Sequence, residues 1–98
     1  MSKDPIQVAI GNAWKAHRAG DQDSAIRQYN EILEKEPDNI DGLYGLGLAQ
    51  KSMGDVLGAK LTFTKLSTIL DRLMSQEESS NLAMQHRMVK QQLDMLGK

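Results

Sequence analysis

Apolar residues return every three or four positions along most of this chain, in five stretches divided by short polar breaks. Ile6, Ala9, Ile10, Ala13, Trp14 and His17 fall on one stripe and predict a first helix. Asp4-Pro5 stands before it: an N-cap, then a proline at the first helical position, where the missing N–H costs nothing. Gly20 predicts its end, because glycine takes the left-handed C-terminal position cheaply. Asp21 predicts the cap of a second helix with Ala25, Tyr29, Ile32 and Leu33 on its stripe, closed by Pro37. Asp38 or Asn39 predicts the cap of a third, carrying Leu43, Leu46, Leu48 and Ala49. Gly54-Asp55 predicts another stop and cap, before a fourth helix with Ala59, Phe63, Leu66, Leu70 and Leu73. Ser75 to Ser79 reads as a polar linker. A fifth helix follows, with Leu82, Val89, Leu93 and Leu96 on one face and Met84, Met88 and Met95 beside it. No segment alternates apolar and polar residues, so no strand is expected.

The breaks and stripes repeat. Gly20-Asp21 returns as Gly54-Asp55, 34 positions on. At the same offset Ile6 returns as Ile40, Gly11 as Gly45, Ala13 as Gly47, Ala25 as Ala59, Tyr29 as Phe63 and Ile32 as Leu66. Asp71 stands where Pro37 stood and does not break a helix, so the fourth helix is expected to run on to about Met74. The chain thus reads as one domain over 1–98: a first helix pair over 6–39, a second over 40–74 and a closing helix within 76–97. One helix pair cannot bury its apolar face alone, so neighbours must stack, and the fifth helix is expected to cap the open side of the second pair.

These residues resemble the tetratricopeptide repeat family. The second unit matches its pattern through Leu43, Leu46-Gly47, Gly54-Asp55, Ala59 and Phe63. The first matches best in its second half, through Gly20-Asp21, Ala25-Ile26, Tyr29 and Pro37, and has Asn12-Ala13 where Leu-Gly is usual. Asn81-Leu82-Ala83 is similar to the start of a third unit, displaced by a linker two residues longer. The resemblance implies an all-α, right-handed stack of five antiparallel helices. It also implies that the first helix of each unit lines a concave groove. Carried over by register, that groove shows Gln7, Ile10, Trp14, His17 and Arg18, then Asp41, Tyr44, Leu48, Lys51 and Ser52, then Ser80, Met84, Arg87 and Met88. Members that bind chaperone tails hold a terminal carboxylate with Lys and Asn. Here Ile10, Trp14 and Gly45 stand in those places, so a carboxylate clamp is not expected. An apolar and aromatic strip with a basic edge remains.

The rest of the composition removes alternatives. The net charge is −1 with no basic block, which argues against nucleic acid, whose binding displaces counterions with clustered Lys and Arg. The apolar runs are too short to span a membrane. The absence of cysteine removes disulfides and thiol chemistry, and a cytoplasmic home is expected. Gly42-Leu43-Tyr44-Gly45-Leu46-Gly47 lies inside a helical stripe, not between a strand and a helix start, so it is no phosphate loop. An EF-hand beginning at Asp21 would need Gly where Ile26 stands and Glu where Ile32 stands. His17 and His86 lack the companions of a metal site. No catalytic, metal or cofactor site is expected. The expected function is a protein–protein scaffold that holds a peptide or helix by apolar anchors. Its contacts would be Ile10, Trp14, His17, Arg18, Tyr44, Leu48, Lys51, Met84 and Met88. The competing expectation is self-association, as an oligomerisation module or a fragment of a longer repeat array.

Overall fold

The computed structural model describes residues 4–97. Among them the chain forms five helices and no strand: α1 (Pro5–Arg18), α2 (Gln22–Lys35), α3 (Ile40–Ser52), α4 (Val56–Gln76) and α5 (Ser80–Gly97). Each packs chiefly on its sequence neighbours, as stacked helix-turn-helix units.

Two identical corners set the repeat. Gly20 and Gly54 both adopt φ +86°, the left-handed region that glycine enters without a Cβ clash. The Gly20 N–H donates to the His17 carbonyl at 3.0 Å, and the Asp21 N–H to the Ala16 carbonyl at 2.9 Å. Gly54 and Asp55 repeat both bonds, to Lys51 at 3.0 Å and Gln50 at 2.9 Å. This paired closure satisfies carbonyls that a helix end otherwise leaves open. The same aspartates then start the next helix. Asp21 accepts from the Ser24 N–H at 3.2 Å, and Asp55 from the Gly58 N–H at 2.9 Å. Of the two caps considered for α3, Asn39 is the one used: it accepts from the Gly42 N–H at 2.8 Å.

α4 has 21 residues against 14 in α2, because nothing at Asp71 stops it. It ends at Gln76, two residues beyond the expected Met74, and the linker shrinks to 77–79. The closing helix starts at Ser80, directly after the linker expected to end at Ser79.

The apolar stripes meet in two clusters that share α3. Ala13, Ala25, Tyr29 and Ile32 pack with Leu46 and Ala49. Leu43 joins Phe63, Leu66, Ile69 and Leu70 of α4 with Leu82, Val89 and Leu96 of α5. A helix buried on two sides must be thin on both, and this accounts for the α3 glycines. A Cβ on Gly45 would overlap the Tyr29 ring, one on Gly47 would lie 2.6 Å from the Phe63 ring, and one on Gly42 would lie 3.2 Å from Leu33. Each glycine costs about 1 kcal/mol inside a helix. Burying a large side chain such as Tyr29 or Phe63 stabilises by about 1.5–3 kcal/mol, so the exchange favours the fold.

Candidate functional site

The face that carries the expected contact residues is built by α1, α3 and α5. The tight hairpins run α1 and α3 parallel to each other and antiparallel to α2. α5 runs antiparallel to α4, with His86 against Asp71 and Lys90 near Ser67, and therefore parallel to α3. Two adjacent hollows open between these helices. The first, of about 200 Å³, is lined by Ile10 and Trp14 of α1, Asp41, Tyr44 and Gly45 of α3, and Tyr29 behind them. The second, of about 100 Å³, is lined by Ile40, Asp41 and Tyr44 of α3, Gln85, Met88 and Val89 of α5, and Leu66 of α4. Asp41 and Tyr44 belong to both.

Tyr44 is the partition, and its ring is braced from below by Phe63, at a centroid distance of 5.8 Å and a tilt of 59°. Trp14 is the outer wall and remains 40% exposed. Its ring lies 5.3 Å from that of His17, which is itself held. The Gln22 amide donates from Nε2 to the His17 carbonyl at 3.1 Å, which leaves Gln22 Oε1 as acceptor for His17 Nδ1 at 2.8 Å. That pairing puts the proton of the neutral ring on Nδ1. Trp14 thus lies on a fixed support in a water-accessible position.

The expected contact residues separate into three groups. Ile10, Trp14, Tyr44 and Met88 line the hollows, and His17 supports Trp14. Leu48 is half-buried against the second core, and Lys51 bridges α3 to α5, donating to Gln92 Oε1 at 2.9 Å beside Met95 Sδ at 3.9 Å. Arg18 and Met84 are exposed but line neither hollow.

The displacement of Met84 has a geometric cause. A third unit displaced by two residues would set Ser80 level with Tyr44. Instead Met88 stands level with Tyr44 and Gln85 with Asp41, both 44 positions on, the same separation as Lys51 and Met95. The extra turns that α4 descends must be climbed again by α5, so α5 slides about two turns along α3. Asn81-Leu82-Ala83 therefore does not occupy the third-unit position that the resemblance implies.

Several site residues lie outside the expected contact set. Tyr29 and Leu66 come from the second helices and read as core, yet their flanks floor the hollows. Asp41 falls in the groove register but is not apolar. Among the described residues its carboxylate has no hydrogen-bond or ion-pair partner, while Asp38 pairs with Arg72 at 3.3 Å and Asp71 with His86 at 2.7 Å. Burial holds the Tyr29 hydroxyl above its ordinary value of 10.0, and the negative charge of Asp41 raises it further.

Two features lie away from the groove. His86 finds its acid on the neighbouring helix, a pairing invisible to spacing within one helix. No group of three or more His, Cys, Asp and Glu is placed to hold a metal among the described residues, and none of their helices is long and apolar enough to cross a membrane. On the back, Met53, Val56, Leu57 and Leu61 are exposed, the two leucines at 69% and 66%. The first-unit positions matching Leu57 and Leu61 are Asp23 and Arg27.

Comparison with known proteins agrees with this architecture. A family model described as TPR repeat matches residues 17–54. Human tetratricopeptide repeat protein 13 is 35% identical over 69 residues, which is 68% of this chain and 8% of that protein. The chain thus spans a small part of that relative's length. No solved structure matches the chain. The chain carries a TPR-like helical repeat, with weak homology to a human TPR protein over part of its length, and this type of fold is associated with protein–protein interaction.

Proposed function

We propose that these repeats, as members of the tetratricopeptide family, form a docking scaffold whose concave groove holds a peptide or helix of a partner protein. The observation that carries this reading is Trp14. A small domain gains about 1.5–3 kcal/mol by fully burying one large apolar side chain. This chain has one tryptophan and leaves it 40% exposed, on a braced support, facing Tyr44 across a hollow. Met88 lines the neighbouring hollow on the other side of Tyr44, and methionine adapts to irregular partners. Aromatics and methionine are the residues enriched in interface cores.

The test is a random peptide display on the intact chain, followed by affinities for Trp14→Ala. Since water already reaches the indole, removal should cost less stability than the 3–5 kcal/mol of a core tryptophan. Binding of the selected peptides should weaken by about 2 kcal/mol or more, as at an interface anchor. An alanine variant that unfolds, or one that binds as well as wild type, would count against the groove.

A second reading, self-association, is favoured by the back of α4. Leu57 and Leu61 lie one turn apart beside Val56, an apolar strip where the first unit is charged. If two copies meet there, light scattering should show a mass rising with concentration, and Leu57→Glu with Leu61→Glu should return it to that of a monomer. A constant monomer mass in the wild type removes this reading.

A further inference from the structure

We infer that the hollow between α1 and α3 takes a basic side chain of the bound peptide, a lysine or arginine, with its stem along Trp14 and Tyr44 and its charge at Asp41. This rests on the groove reading above and alters its chemistry: one of the two anchors is cationic, not apolar.

The walls and the charge make the case together. Trp14 and Tyr44 enclose the first hollow with aromatic rings, whose faces attract cations. Long basic side chains bury their methylenes on such surfaces while the charged end stays in water. Asp41 is exposed, so that end would sit at the rim. Among the described residues no Lys, Arg or His lines either hollow, and none forms an ion pair with the carboxylate. Lys51, the one lysine of α3, is engaged by Gln92 and Met95 at the other end of that helix. A first-turn acid is favourable at any helix start, but helix-dipole stabilisation gives no reason for two aromatics around it. The field of Asp41 reaches the back of the hollow, where it acts on the Tyr29 hydroxyl.

The neighbouring hollow differs. Ile40, Leu66, Met88 and Val89 suit an aliphatic side chain. Because Tyr44 and Asp41 divide the two, the ligand should present one basic and one aliphatic residue close together, either side of Tyr44.

Peptide display on the wild type and on Asp41→Asn tests this. Asp41 is exposed and outside both cores, so circular dichroism should show the variant folded as wild type. Selected peptides should carry Lys or Arg at one position beside an aliphatic one. Replacing that basic residue with norleucine should weaken binding to wild type by about fivefold, and the loss in Asp41→Asn should be smaller, limited to the attraction of the aromatic faces. If the peptides need Trp14 yet show no basic position, or lose as much in Asp41→Asn as in wild type, the cation is overturned while the groove stands. If no peptide depends on Trp14 or Tyr44, the groove reading fails and this inference fails with it.

Discussion

Gly47→Leu should lose on the order of 3 kcal/mol or more of stability and melt about 12–24 °C lower. The first side-chain carbon alone would lie 2.6 Å from the Phe63 ring. Phe63 cannot yield, because it is fully buried between α3, α4 and α5. The remaining leucine atoms must then separate α3 from α4. Gly45→Ala should also destabilise. Alanine gains about 1 kcal/mol of helix propensity over glycine, but its methyl would overlap Tyr29, which is buried beneath it. Gly11→Ala supplies the contrast. Nothing lies within 4 Å of its added carbon, so the propensity gain is unopposed and stability should rise by about 0.5–1 kcal/mol. Thermal melts of the three variants check the set. If Gly47→Leu melts with the wild type, α3 and α4 do not cross there and the 34-residue register is wrong.

Ending the chain after Gln76 should abolish a cooperative fold. Leu82, Val89 and Leu96 of α5 are buried against Leu66, Ile69 and Leu70. At about 1.5–3 kcal/mol for each buried side chain, the three contribute roughly 5–9 kcal/mol. That is comparable with the roughly 5–15 kcal/mol total stability of a small domain. The exposed flank of α4 would be a long apolar strip, and such strips associate. Circular dichroism should show a broad, early transition, and light scattering should show aggregates. A truncated chain that stays monomeric with the same melting temperature would show that α5 is not the cap.

How much of this was legible beforehand follows from the range of each signal. Gly20-Asp21 and Gly54-Asp55 are local instructions, since a positive φ and a capping carboxylate act within four residues, and both corners could be read directly. The resemblance singled out Leu46-Gly47, while the stripes placed Gly42 and Gly45 only inside a helix. The reason for Gly45 needs Tyr29 to reach forward onto the next unit. The slide of α5 was not legible, because counting linker residues ignores the turns that a longer α4 must descend and α5 must climb. The hollows were half legible. Trp14, Ile10 and Tyr44 follow from stripe and register. Tyr29 and Leu66 floor them from helices whose stripes signal only burial, and Asp41, though in the groove register, is no apolar anchor.

Trp14 offers the most direct reading of the central claim, because its indole N–H gives one resolved signal in a ¹⁵N-labelled chain with a single tryptophan. Titration with a display-selected peptide should move that signal along a saturating curve. The Tyr44 and Met88 signals should follow with the same Kd, while those of Leu57 and Leu61 stay fixed. A peptide that binds with the Trp14 signal unmoved and the Leu57 and Leu61 signals shifted would contradict the groove and place the interaction surface on the back of α4.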